Sequence, residues 1–150
     1  MLKVVEEDAA PALVLTPGTL VLRVRPGTGE EKRQALVAEW YRQQIKDAAG
    51  ELVAKWELIL GVKARRVFVQ RMKTRWGGCN TESRSIRLNT ELAKKPKECL
   101  EYIVVHELVH LLERNHTDRF TALMDQCLPQ WRQLRKLLNT APLGHETWRY

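Results

Sequence analysis

The sequence His106-Glu-Leu-Val-His110-Leu-Leu-Glu-Arg-Asn-His116 contains three of the four histidines in this chain. His106 and His110 are four positions apart, so on a helix their side chains lie on one face, about one turn from each other. Two imidazoles in this arrangement can bind one Zn²⁺, with the neighbouring Glu107 beside the metal as a general base. Apolar residues flank the pair on both sides, which indicates a buried helix. Because buried polar groups cost free energy unless they are paired, the pattern predicts a metal site.

The third histidine can join the site only if the helix ends before it. Six residues along an unbroken helix would turn His116 about 120° away from His110. We expect the helix to end near Asn115, because asparagine tolerates the left-handed conformation that terminates helices. Three protein ligands with one open position are typical of a catalytic zinc ion. The stretch therefore predicts one zinc ion per chain, bound by His106, His110 and His116, with Glu107 as the catalytic base.

Two blocks of sequence resemble the SprT/YgjP-like zinc metallopeptidases. The first runs from Tyr102 to His110 and continues with Asn115-His116 and Phe120, and the second comprises Arg71–Cys79 and Ile86–Asn89. The resemblance covers approximately residues 60–135. It implies a zincin-like fold, a protein or peptide substrate, the same three histidine ligands and the same glutamate base. Residue spacing by itself indicates only metal-assisted hydrolysis.

The spacing of the histidines also equals that of the metzincins. In this chain, however, Glu113 stands where that group has glycine, and the sequence shows no Met-turn. The properties of the metzincins are therefore not transferred to this protein.

Positive charge is concentrated in residues 61–97, the basic segment. It contains eleven Lys and Arg against two Glu, a net charge of +9, whereas the whole chain carries +7. Within a strand predicted over Val67–Cys79, the side chains of Arg71, Lys73 and Arg75 would share one face. They would form a cationic wall beside the zinc site that binds an anionic partner, either nucleic acid or an acidic stretch of a protein substrate. The alternative is a solvated edge whose charges discourage aggregation.

The remaining composition places the chain among soluble globular proteins. Its longest apolar runs are too short to cross a bilayer, and the acidic N-terminus lacks the apolar core of a signal peptide. The three cysteines are widely spaced and odd in number, which predicts free thiols and a reducing, cytoplasmic location.

We predict a single α+β domain over residues 1–150, with tails at 1–12 and 139–150. Apolar residues that recur at three- and four-residue steps predict a long helix from Glu30 to Leu60, which Gly61 caps. This apolar stripe consists of Val37, Tyr41, Ile45, Ala48, Leu52, Trp56 and Ile59. Ala49-Gly50 is a candidate kink in that helix.

Strands and shorter helices complete the predicted fold. The strands form a small, mostly antiparallel sheet, with residues 19–25 at an edge and with Gly77-Gly78 allowing a bulge or a close approach of another backbone. The active-site helix is expected from Pro96 to Arg114, followed by a helix that Thr117 caps and Leu128-Pro129 interrupts, and then by a segment over residues 129–138.

Two rival functions follow from the same residues. One is a nucleic-acid-associated protein whose basic segment binds phosphates, either a binding module or, as the resemblance to SprT-like proteins implies, a protease that acts on DNA-bound proteins. The other is a non-catalytic scaffold that zinc stabilises, but a purely structural zinc site has no use for Glu107. The sequence leaves the second electrophile of a hydrolase open among Arg71, Arg75, Asn89 and His145.

Overall fold

The computed structural model describes residues 1–140 and divides the chain into two compact units, Met1–Gln43 and Gln44–Tyr150. Helix α1 (Glu30–Leu60) begins in the first unit and ends in the second. No helix within the described 140 residues is long and apolar enough to cross a membrane. The single domain predicted over residues 1–150 stays a prediction.

The first unit contains a three-stranded sheet with the order β1-β3-β2. Strand β3 (Thr19–Val24) pairs in parallel with β1 (Leu2–Glu6) and antiparallel with β2 (Ala12–Thr16). The predicted tail over residues 1–12 is therefore wrong for Leu2–Glu6, and the prediction of an edge strand for residues 19–25 is wrong because β3 is central. A parallel partner lies far away in sequence, so its pairing leaves no local pattern to read.

Helix α1 has the predicted bounds. Gly61 ends it in the left-handed conformation, with φ 67°, and the Gly61 N–H donates to the Glu57 carbonyl over 2.9 Å. In the second unit, the buried face of α1 consists of Ile45, Ala49, Val53 and Trp56. The helix is continuous through Ala49-Gly50, where the kink stays a prediction, and the predicted inward residues Ala48 and Ile59 are exposed.

The second unit contains another three-stranded sheet, with the order β4-β6-β5. Strand β6 (Ser85–Asn89) pairs in parallel with β4 (Arg66–Gln70) and antiparallel with β5 (Gly77–Asn80). The α+β class is confirmed, but both sheets are mixed rather than mostly antiparallel. The single strand predicted over Val67–Cys79 is in fact two strands on opposite sides of β6, joined by a loop at residues 71–76.

Three helices follow the second sheet: α2 (Lys97–Val109), α3 (Asp118–Cys127) and α4 (Trp131–Thr140). A 3₁₀ helix, Thr90–Lys94, connects β6 to α2. Every residue of α2 from Tyr102 to Val109 is buried, as expected for a helix that is apolar on nearly all sides. Helix α4 continues through residues 139 and 140, which had been predicted to begin a tail. His145 lies outside the described residues.

Candidate active site

The structure brings the three predicted metal ligands together. His106 lies on α2, His110 follows the last residue of that helix, and His116 lies just before α3. One ligand nitrogen from each histidine is within 4.8 Å of the others. The Nε2 atoms of His110 and His116 are 3.0 Å apart. The three side chains could therefore hold one metal ion.

The end of α2 decides whether His116 can return to the other two histidines. The helix ends at Val109, five residues earlier than predicted. Hydrogen bonds of 2.9 Å from the Leu112 and Glu113 N–H groups to the Val109 carbonyl tighten the turn that follows. Among the described non-glycine residues only Arg84 has a positive φ, so the prediction of a left-handed Asn115 is wrong. Tight right-handed turns leave the helix axis without that conformation.

The environment of His110 suits a metal ligand. Its Nδ1 lies 3.2 Å from the Glu113 carbonyl oxygen, which can only accept a hydrogen bond, so Nδ1 donates and Nε2 keeps its lone pair. Burial and the neighbouring imidazoles lower the pKa values of His106 and His110. Both effects favour neutral rings, which is the form that binds metals.

Phe120 packs against all three imidazoles. Its ring centroid lies 4.9 Å from that of His106, 4.7 Å from that of His110 and 4.8 Å from that of His116. In the sequence this residue belonged to the motif that carries the family resemblance. Nothing in the sequence indicated that the Phe120 ring would contact all three histidines.

Glu107 lies beside the histidines on α2 and is only 2% exposed. Burial raises the pKa of its carboxyl group to about 8, while the positive charge of Arg75 opposes that rise. A carboxyl group with a pKa near neutrality suits proton transfer at physiological pH.

Gly77 allows strand β5 to pass directly against α2. A Cβ atom at this position would lie 2.7 Å from Ile103 Cγ2, 3.0 Å from the Arg87 carbonyl oxygen and 3.3 Å from Glu107 Cγ. The close backbone approach predicted from the glycine pair is therefore confirmed for Gly77. At Gly78 a Cβ atom would meet nothing within 4 Å.

Asn89 holds the loop at residues 71–76. Its fully buried amide group donates from Nδ2 to the carbonyls of Met72 (2.9 Å) and Arg75 (2.6 Å). Its Oδ1 accepts from the N–H groups of Met72 (3.3 Å) and Glu91 (3.0 Å). Both amide hydrogens are used, so Asn89 is not a second electrophile. Sequence reasoning missed this positioning role.

Arg71, Lys73 and Arg75 lie on that loop and are exposed. The alternating strand face that was predicted to align them does not exist, because this part of the chain is not a strand. The Nε atom of Arg71 lies 3.9 Å from a carboxylate oxygen of Glu91. The positive charge of Arg75 acts on Glu107, which keeps Arg75 among the candidate electrophiles.

Two solved structures of metallopeptidase zymogens have a similar fold. Abylysin from Pyrococcus abyssi is 21% identical with a TM-score of 0.56, over 61% of this chain and 92% of that one. Jannalysin from Methanocaldococcus jannaschii is also 21% identical, with a TM-score of 0.51, over 62% of this chain and 91% of that one. These matches confirm the zincin-like fold. Among curated proteins, no sequence matches this chain significantly.

The family comparison agrees with the geometry of the site. The model of the YgjP-like metallopeptidase domain matches residues 1–141, a range that includes the first compact unit, most of the second and all three clustered histidines. The YgjP-like part of the resemblance seen in the sequence is thereby confirmed. This chain belongs to the YgjP-like metallopeptidase family.

Proposed function

We propose that the protein is a zinc-dependent peptidase in which His106, His110 and His116 bind the metal and Glu107 is the general base. The observation that carries this proposal is the meeting of three imidazoles beside one buried carboxyl group. Three neutral imidazoles form a donor set that suits zinc. Bound there, zinc would polarise the substrate carbonyl and make a water molecule more acidic.

Glu107 is suited to move the proton. Its carboxylate accepts a proton as water attacks the peptide carbonyl, and its carboxylic acid form returns that proton to the leaving amine. Burial supports this assignment, because it raises the carboxyl pKa toward the pH at which both forms are populated.

The same carboxyl group argues against a non-catalytic scaffold. Its Oε2 atom is buried and has no hydrogen-bond partner in the described structure. A buried polar atom without a partner costs free energy, and a purely structural metal site gains nothing from it. The proton-transfer role accounts for that cost.

The accessibility of the histidines supports an open site. His106 is buried, His110 is half-buried and His116 is exposed. A substrate could therefore approach the site from the side of His116.

The cysteines Cys79, Cys99 and Cys127 are free thiols, which supports a reducing location, and we propose the cytoplasm.

The test combines metal analysis with peptide hydrolysis. We expect about one zinc ion per wild-type chain after loading and dialysis, and a sharply lower content in His110→Ala. Glu107→Gln should retain zinc and fold but lose hydrolysis of a mixed peptide library, because the amide cannot accept the proton. A wild-type chain that retains no zinc would contradict the metal site, and a fully active Glu107→Gln would contradict the base.

We also propose that Arg71, Lys73 and Arg75 bind an anionic partner, either nucleic acid or an acidic stretch of a protein substrate. All three are exposed on the 71–76 loop, whose backbone Asn89 holds immediately before Gly77 packs against α2. Of the three, Arg75 acts electrostatically on Glu107. This observation favours a partner that reaches the proposed catalytic site.

A further inference from the structure

The segment that joins His110 to His116, residues 111–117, is held by a side chain from α3. We name this segment the ligand loop. Arg119 Nη1 donates to the Leu112 carbonyl oxygen over 3.2 Å. The same nitrogen lies 3.6 Å from Glu113 Oε2, so one guanidinium group contacts two consecutive residues of the loop.

Those contacts act on the residue that orients His110. The Glu113 carbonyl oxygen accepts the hydrogen bond from His110 Nδ1, while the Glu113 carboxylate pairs with Arg119. Glu113 is therefore held by His110 at its backbone carbonyl and by Arg119 of α3 at its side chain. Displacement of this residue would change the direction of the His110 ring and the path of the chain to His116.

The first turn of α3 contacts the site a second time through Phe120. Thr117 caps the helix by accepting from the Phe120 N–H over 3.3 Å, and the Phe120 ring packs against all three imidazoles. Arg119 thus extends from a turn that already has fixed contacts with the histidines. Arg119 therefore connects the ligand loop to the same helix, α3, that contacts the histidines through Phe120.

We propose that Arg119 is a positioning residue for the metal site: by bonding to the Leu112 carbonyl and the Glu113 carboxylate, it fixes the ligand loop so that His110 and His116 meet His106. The inference rests on the proposed metal-binding function. In general, loss of an outer partner of a metal-binding histidine lowers metal affinity by about 10- to 100-fold. Arg119 acts through Glu113, so we expect about a tenfold loss.

Metal affinity and protein stability should respond differently to loss of Arg119. The Arg119 side chain is 62% exposed and that of Glu113 is 21% exposed. Because one partner of this ion pair is largely exposed to solvent, the pair should contribute little to folding. The positioning role therefore predicts weaker zinc binding by Arg119→Ala with little change in the unfolding midpoint of the metal-free chain.

The experiment measures zinc affinity by competition with a chromogenic chelator, starting from the metal-free full-length chain. Arg119→Ala removes both contacts, whereas Arg119→Lys keeps a positive charge and a donor. Arg132→Ala is the matched control, because Arg132 is 57% exposed and pairs with Asp125 of α3 without a described contact to the ligand loop. The visible absorption spectrum of the Co²⁺-loaded proteins reports the ligand geometry independently.

The expected result is about tenfold weaker zinc binding and an altered Co²⁺ spectrum in Arg119→Ala. Arg119→Lys should recover most of the affinity, and Arg132→Ala should match wild type. Equal affinities and spectra for Arg119→Ala and wild type would overturn the positioning role. An equal loss in Arg132→Ala would also overturn it, by showing a nonspecific effect of charge. If wild type itself binds no zinc, the failure lies in the proposed metal site instead.

Discussion

At the scale of single residues, the site depends on the close packing of Gly77 against Glu107. The glycine has no side chain, so strand β5 can lie against α2 where the proposed base is located. Glu107 is fixed in turn by its burial, which raises its pKa. The Glu107 carboxyl group can therefore take this position because Gly77 has no Cβ atom.

Gly77→Ala should destabilise the protein and reduce peptide hydrolysis. The new methyl group would lie 2.7 Å from Ile103 Cγ2 and 3.0 Å from the Arg87 carbonyl oxygen. Such overpacking costs about 1–3 kcal/mol in the free energy of unfolding. Equilibrium denaturation in urea measures this change, and a peptide assay measures the loss of hydrolysis.

The adjacent glycine provides the control for that substitution. Gly78→Ala adds the same methyl group where nothing lies within 4 Å, so its stability should equal or slightly exceed that of wild type. Equal unfolding free energies for the two alanine variants would show that the close contact at Gly77 has no energetic consequence.

At the scale of structural elements, the loop at residues 71–76 is the unexpected feature. It separates β4 from β5, and the side chain of Asn89 on β6 satisfies the backbone groups that strand pairing would otherwise use. The loop can therefore expose Arg71, Lys73 and Arg75 while its backbone stays anchored.

Replacement of Arg71, Lys73 and Arg75 by Ser should weaken binding to an anionic partner. Exposed charges act through long-range attraction, which salt screens over about 10 Å at 0.1 M ionic strength. We expect lower affinity for single-stranded or duplex DNA and a shallower dependence of affinity on salt. Fluorescence anisotropy across a salt series measures both quantities.

The outcome of that titration separates the two anionic partners. If wild type binds neither form of DNA at low salt, nucleic acid is excluded, and acidic peptides become the next ligand to test. If the triple variant binds both DNA and acidic peptides as wild type does, the loop is only a solvated surface.

At the scale of the whole molecule, zinc binding should be coupled to folding of the second unit. His106 lies on α2, His110 directly follows that helix and His116 lies in the ligand loop, so the three histidines meet only when these elements are packed. A ligand that binds the folded state alone stabilises it, by about 2.7 kcal/mol at a concentration 100 times its dissociation constant.

Zinc should therefore raise the thermal unfolding midpoint, and a chelator should reverse the increase. Magnesium should have little effect, because Mg²⁺ prefers oxygen ligands to imidazole. His116→Ala should lose most of the increase with zinc while keeping a similar midpoint without metal. An unchanged wild-type midpoint at saturating zinc would contradict the coupling of this site to folding.

Features that depend on neighbours along one helix could be predicted from the order of the amino acids. The four-residue spacing of His106 and His110 and the bounds of α1 from Glu30 to Leu60 follow from helical periodicity and a glycine cap. Together with His116, the histidine pattern was sufficient to predict the cluster of three histidines that the structure contains. The family resemblance added the zincin-like fold and the peptidase activity class, which the comparisons confirm.

Features that depend on partners distant in sequence could not be predicted in this way and became visible in the folded chain. The pairing of β1 with β3 and the separation of β4 from β5 required backbone partners that no local pattern identifies. Likewise, Asn89 has its role because β6 brings it under the 71–76 loop, and Arg119 because α3 begins beside the ligand loop. Periodicity reports which face of an element is buried, whereas the contacts across that face depend on how the elements pack.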